Sequence, residues 1–204
     1  IAYTIEAAKR AKHVNRVIVS TDSQKIARVA RQYGAEVPFF RPKEISTGES
    51  TEMQFLRHAL SWLAENESYE PDLIVLLYPT SPFRRAESID RAVERILEHP
   101  EADSLRSVKL CSEHPYKMWT IREGLLKPFV ETEDSGVHTL SYHLLPQVYI
   151  QNASIYITKP RTIANKSSYI GEVVIPFVMD QSESIDINAP LDFQLAEMLM
   201  KGQP

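Results

Sequence analysis

Near the end of the chain two oxygen-bearing side chains stand two residues apart, Asp186 and Asn188, in the run Ser184-Ile185-Asp186-Ile187-Asn188. On an extended segment residues i and i+2 point to one face, so the pair could converge on a hard cation, which prefers oxygen ligands. The same run also suits a capping loop before a last helix, with Asn188 and Pro190 in the usual places. Thr80 and Ser81 follow the apolar run 73–77, and their hydroxyls, with the Tyr78 phenol beside them, could hydrogen-bond a polar ligand. Tyr78 also reads as a packing residue. Arg41, ahead of Pro42, offers forked guanidinium donors, or a salt bridge that holds a turn. Ser50 and Thr51 can cap the helix that follows them. Lys117 carries a mobile ammonium suited to a carboxylate, although a solvated surface is the ordinary place for lysine.

These groups need a scaffold, and the apolar pattern supplies one. Residues 1–11 carry helical spacing with no capping residue ahead of them, residues 16–20 (RVIVS) read as a buried strand, and Thr21-Asp22-Ser23 offer caps for a helix over 24–33 closed by Gly34. Residues 37–40 form a second short apolar run, a helix is expected from Ser50 or Thr51 to about residue 65, a buried strand over 72–77, and a helix over 88–98. Strand–helix alternation of this kind predicts an α/β fold of three layers with a mainly parallel sheet, whose ligands gather at the C-terminal ends of the strands. From about 104 to 150 the pattern changes to turns, aromatics and short extended pieces, including a turn at Glu123-Gly124, and reads as an arm. Apolar strands return over 148–158 and 173–179, followed by an amphipathic helix over 190–200.

Bulk properties exclude several functions. A length of 204 residues suits one domain with an appended arm. The net charge of -4 argues against a broad nucleic-acid footprint. The lone Cys111 cannot form an internal disulfide, which fits a reducing cytoplasm. No apolar run is long enough to cross a bilayer. His58, His114, His138 and His143 lack a spaced acid partner, and no Gly-x-Ser-x-Gly elbow or Walker loop occurs.

The run Leu76-Leu77-Tyr78-Pro79-Thr80-Ser81-Pro82-Phe83-Arg84 resembles the LLQPTSPxR signature of the acylneuraminate cytidylyltransferase family. Val19-Ser20-Thr21-Asp22, Arg41-Pro42, Tyr116-Lys117-Met118, Gln151-Asn152-Ala153-Ser154-Ile155-Tyr156 and Ser184-Ile185-Asp186-Ile187-Asn188 follow the family order and resemble VSTD, RP, KMW or KMF, NGAIY and SIDID. The resemblance implies a Rossmann-like core over 1–204, a homodimer formed through the arm, magnesium as cofactor, and transfer of cytidine monophosphate from CTP to an acidic nine-carbon sugar with release of pyrophosphate. It places Arg41, Ser50 and Thr51 at the nucleotide, Tyr78, Thr80, Ser81, Lys117, Asn152 and Tyr156 at the sugar, and Asp186 with Asn188 at the metal, with Asp186 and Lys117 as the catalytic pair. Four departures bear on the substrate: the family glutamine is Tyr78, its second aspartate is Asn188, its glycine–alanine pair is Ala153-Ser154, and Ser141-Tyr142-His143 stand for an Arg-Arg-Gln. The family's opening strand and glycine–serine–lysine loop are expected outside the residues that begin at Ile1. An octulosonate as the sugar, and a non-catalytic sugar-nucleotide binding protein, stand as alternative expectations.

Overall fold

A computed structural model of the chain describes residues 1–133 and 136–202. Helix α1 (Ala2–Arg10) turns Ile5, Ala7 and Ala8 inward. Helix α2 (Gln24–Gln32) begins where the Ser23 hydroxyl accepts from the Ile26 N–H at 3.4 Å. In helix α3 (Glu52–Glu67) the Thr51 N–H donates to the Gln54 side chain at 2.8 Å, one half of a capping box. Strand β1 (Ile74–Leu77) leads into helix α4 (Ala86–Leu97), where Ile89, Ala92, Val93 and Ile96 are buried at the i, i+3, i+4, i+7 spacing of an inward stripe. Strand β2 (Ser104–Leu110), the pair β3 (Trp119–Arg122) and β4 (Leu125–Pro128), and the long β5 (Tyr149–Thr158) follow. Helix α5 (Pro160–Lys166), strand β6 (Val174–Val178) and helix α6 (Pro190–Lys201) complete the order.

The main sheet has the order β1-β5-β2-β6. β5 runs antiparallel to both β1 and β2, while β2 and β6 are parallel. β1, β2 and β6 therefore share one direction, and β5 is reversed because the chain returns to it from the arm without a crossover helix. Ile155 and Ile157 of β5 pack with Leu105 and the stripe of α4 on one face. The alternate residues Tyr156 and Thr158 border, with Leu56 of α3, a small void on the other. Helix, sheet and helix make three layers, as the alternation required. Each fully buried isoleucine in the α4 layer contributes about 2 kcal/mol.

Two expectations are corrected. Residues 16–20 do not form a full strand: Ile18 makes a single parallel bridge to Glu36, with Val19 N–H to Glu36 O at 2.9 Å and Glu36 N–H to Val17 O at 2.8 Å. The next rung would need an N–H from residue 38, which is Pro38. The arm also starts later than 104, since residues 104–110 are a central strand. The excursion proper spans 111–148, and its β3–β4 hairpin turns at Glu123 (φ 52°) and Gly124 (φ 78°), the paired positive angles of a type I′ turn. Apolar residues divide into two clusters, one under α4 and one formed by Ile5, Ala27, Ala30, Ala35 and Val37 with Val17 and Val19. α1 and its C-cap join them, with Ala7 and the capping Ala11 in the first and Ile5 in the second.

At the opposite end of the sheet the Asp103 carboxylate accepts from the backbone N–H groups of Glu172 and Val173, at 2.8 and 3.0 Å, and from Lys166 Nζ at 2.9 Å. A Cβ on Gly171, where φ is +76°, would lie 2.3 Å from Asp103 Cβ, so only glycine fits there. The Val173 N–H, Lys166 and the Glu172 N–H, in that order, hold the Asp103 carboxyl below its ordinary 3.8. A depressed carboxylate contributes stability that is present above the unfolded pKa and lost as pH falls. Asp103→Asn is expected to be less stable than wild type at pH 7, with a difference that shrinks as pH drops below 3.8, read from urea midpoints across the acid range.

Candidate active site

β5 is interrupted where it leaves the core. Its register with β2 shifts between the pairs Arg106–Tyr156 and Val108–Gln151, so Ser107 alone faces residues 152–155. The surplus is absorbed at Ala153, whose φ of 48° lies in the left-handed region, at a cost of about 1–2 kcal/mol for a residue with a Cβ. Polar side chains fix this bulge from every side. Ser107 Oγ donates to Asn152 Oδ1 at 2.6 Å and accepts from the Ile155 N–H at 2.8 Å. Asn152 Nδ2 donates to Ser184 Oγ at 2.9 Å, and Ser184 Oγ donates to the Asp180 carbonyl at 2.6 Å. Ser81 Oγ donates to the Ala153 carbonyl at 2.9 Å. Arg84, 4% exposed, donates from Nε to the Ser154 carbonyl at 2.8 Å and from Nη2 to the Tyr78 carbonyl at 2.7 Å. Burial pulls its pKa down to about 10, so it stays a cation at neutral pH.

The bulge thereby ties together two loops that are distant in sequence, the one after β1 and the one before α6. The Ile187 N–H donates to the Thr80 carbonyl at 2.9 Å, and Lys109 Nζ donates to the Ser184 carbonyl at 3.2 Å. Asp186 is held between these anchors at the C-terminal end of β1. Its Oδ2 accepts from Asn188 Nδ2 at 2.8 Å, and its Oδ1 is buried with no hydrogen-bond partner among the described residues. A solvent-hidden carboxylate oxygen without a donor is an unfavourable arrangement unless a cation takes it. Asn188 thus differs from its expected role beside Asp186 as a metal ligand: its amide hydrogens face the carboxylate and restrain it. The capping of α6 falls to Asp192, whose Oδ2 accepts from the N–H groups of Asn188 and Ala189 at 2.9 and 2.8 Å.

On the α3 side, the Tyr78 hydroxyl donates to Glu52 Oε1 at 2.8 Å and its ring meets Tyr156 edge-on at 5.6 Å. Burial first, and then the bond to Glu52, push the Tyr78 phenol up. Arg106, 5% exposed, lies between the Tyr156 and Tyr169 rings with Cζ 4.3 and 4.4 Å from their centroids, and burial lowers its pKa. Arg41 enters from the same side. Its N–H donates to the Thr21 carbonyl at 2.9 Å, its guanidinium lies 5.5 Å from the Phe55 ring of α3, and its Nε is buried without a partner among the described residues. Among those residues it makes no ion pair within 4.0 Å, so the salt-bridge reading of this arginine is not realised.

Several expected ligand contacts prove to be internal. Ser81 and Asn152 are 0% and 2% exposed and spend their polar atoms on the bulge. Tyr156, 8% exposed, packs between Tyr78 and Arg106 and accepts from the Ala153 N–H at 3.2 Å. Ser50 Oγ accepts from the Thr47 N–H at 2.9 Å, and Thr51 opens α3. Lys117 donates to the carbonyls of His138 and Leu140, at 2.7 and 2.5 Å, so its hydrogen bonds stay inside the arm. Asp186, Thr80, Tyr78 and Arg41 remain near the surface around one end of the sheet. Arg84, Ser107 and Glu52 carry structural bonds that the sequence reading did not assign. Arg84 had a signal, as the first of two arginines after an apolar strand and a Pro-rich turn. Glu52 had none, because an acid in the first turn of a helix is ordinary.

The family profile described as Cytidylyltransferase matches residues 1–183. The chain belongs to that family. This cytidylyltransferase is 35% identical over 204 residues to a CMP-N,N'-diacetyllegionaminic acid synthase of Legionella pneumophila, with 98% of this chain and 84% of the relative covered. It is 31% identical to the post-translational flagellin modification protein B of Campylobacter coli, with 98% and 83% covered. It is 30% identical to an N-acylneuraminate cytidylyltransferase of Escherichia coli, of which the match spans 44%. Among solved structures, a CMP:2-keto-3-deoxy-manno-octonic acid synthetase complexed with CTP aligns with a TM-score of 0.69 at 11% identity, covering 98% of this chain and 87% of that one. That likeness is one of fold. In this cytidylyltransferase Ala153 occupies the position of the glycine in the family's NGAIY run, and the positive φ gives that glycine its physical reason. Ala153→Gly is expected to raise stability by about 0.5–1 kcal/mol, measured by urea denaturation.

Proposed function

We propose that the protein is a CTP-dependent cytidylyltransferase that activates an acidic nine-carbon sugar, releasing pyrophosphate. The observation that carries the reading is Asp186 Oδ1, a buried carboxylate oxygen without a partner, at the end of β1 beside Thr80. Similarity to a CMP-N,N'-diacetyllegionaminic acid synthase over 98% of the chain supports the choice of nucleotide and sugar class. The sugar hydroxyl oxygen forms a bond to the α-phosphorus, and the bond from that phosphorus to the β-phosphate bridging oxygen breaks. Alignment and charge neutralisation, rather than covalent catalysis, set the rate of such a transfer. Asp186 is the residue suited to magnesium, an ion that takes one or two carboxylates and completes its shell with water and phosphate oxygen. When bound, magnesium supplies positive charge to the phosphates. Asn188, hydrogen-bonded to Asp186, fixes the carboxylate in place.

Around this centre Arg41 serves the cytidine, its guanidinium backed by Phe55 and free of carboxylate partners within the described chain. Tyr78 and Thr80 meet the sugar. Lys117 lies in the arm, and the arm exposes Ile121 at 77%, Leu126 at 62%, Phe129 at 61% and Leu144 at 62%. Apolar surface of that kind is what a subunit interface covers. A homodimer through the arm would bury it and bring one protomer's Lys117 toward the other's sugar site.

Pyrophosphate release is expected with magnesium, CTP and an acidic nine-carbon sugar, and not with the other three nucleoside triphosphates. Release only with an eight-carbon acid would move the substrate to the octulosonates, and no release with any pair would overturn the reading. Asp186→Asn should lower turnover at least a hundredfold at an unchanged unfolding midpoint, together with loss of magnesium-dependent tightening of CTP binding in calorimetry. Analytical ultracentrifugation at micromolar concentration should give a dimer, and Ile121→Asp with Leu126→Asp should shift it to monomer.

A further inference from the structure

The mouth between the expected nucleotide and sugar positions holds an acid that neither role accounts for. Glu52 opens α3, the helix whose Phe55 backs Arg41, and its Oε1 accepts from the Tyr78 hydroxyl at 2.8 Å. It thus joins the element beside Arg41 to the residue after β1. The carboxylate is half-buried, and its field acts on Tyr78, Tyr169 and Arg106. Arg106 does not neutralise it by direct contact: its Nη2 donates to the Tyr169 carbonyl at 3.2 Å, and its Nε and Nη1 lack partners among the described residues. A carboxylate accepts through two oxygens and about four lone-pair directions; the Tyr78 phenol uses one of them, and the Tyr169 phenol also leans on the group.

Charge decides what the remaining capacity can take. A carboxylate repels a triphosphate and the carboxylate of an acidic sugar, so Glu52 cannot serve the anionic parts of either substrate. It is suited to neutral donors, the hydroxyls of a ribose or the hydroxyls and acylamino N–H groups of a sugar. Bonds of such donors to an ionised acceptor are shorter and stronger than neutral ones. The Tyr78 hydroxyl, committed to Glu52, then presents its oxygen as an acceptor and its ring as a wall.

Resting on the cytidylyltransferase reading, we propose that Glu52 is a specificity-determining residue, accepting a neutral O–H or N–H donor of the bound substrate while orienting Tyr78. The two sources of that donor, ribose and sugar, separate in steady-state kinetics. Glu52→Ala and Glu52→Gln are compared with wild type in pyrophosphate release, varying CTP and sugar in turn, with 2′-deoxy-CTP and a sugar lacking the acylamino group as further probes. Glu52→Ala is expected to raise KM about tenfold or more for one substrate and to leave the other within twofold. Loss of discrimination against 2′-deoxy-CTP would assign the ribose, and loss of discrimination against the deacylated sugar would assign the sugar. Glu52→Gln, which keeps an acceptor for Tyr78, should recover part of the effect. KM values and preferences unchanged in both Glu52 variants, with an active wild type, would overturn this inference alone. Equal losses with every probe would also overturn it, since they mark a general structural role. A wild type that releases no pyrophosphate with any pair would overturn the functional reading and this inference with it.

Discussion

The left-handed backbone turn at Ala153 constrains the rest of the site. A strand that continued regularly through residues 152–155 would carry its side chains past Ser107 in step. The turn breaks that step and exposes backbone groups inside the protein, where each must find a partner. The sequence answers with hydroxyls, an amide and one arginine: Ser81, Ser107, Asn152, Ser154, Ser184 and Arg84. Because three of these come from loops outside β5, satisfying the turn also fixes those loops. The Asp186 segment and the Thr80 segment are held against each other as a result.

Arg84 illustrates how this differs from a salt bridge. It lies 4% exposed with bonds to carbonyl and hydroxyl oxygens. Carbonyl dipoles repay only part of the cost of removing a guanidinium from water, which is why its pKa falls. In exchange its planar fork sets an angle between two backbone segments, an effect a lysine's point charge cannot supply. Arg106 is a second desolvated guanidinium, where two tyrosine rings join a single carbonyl as its partners.

The layered fold was legible where apolar periodicity carried the information. The α4 stripe, the Ser23 cap, the β1 run and the Glu123-Gly124 turn all appear where the residues demanded them. Residues 16–20 failed because strand character is settled by neighbours, and Pro38 withholds the donor the ladder needs. Residues 104–110 were misread because Arg106, Ser107 and Lys109 look like surface residues. Only the fold reveals that Ser107 repairs a bulge and that Arg106 is sandwiched by aromatics. The candidate site was legible as a neighbourhood. Asp186, Thr80 and Tyr78 do gather, whereas Ser81 and Asn152 face inward, a distinction that depends on side-chain direction within a bulge and has no periodic signal.

The hairpin of the arm leads elsewhere. A two-stranded ribbon is marginal in water by itself, and among the described residues β3 and β4 pair only with each other while Ile121, Leu125 and Leu126 face solvent. The core strands, by contrast, share a buried layer with α4. A single protomer outside any dimer therefore has two unfolding scales: amides of β2 and β5 open with the whole domain, and those of the hairpin open locally and far more often. A single melting temperature will describe the first and be blind to the second.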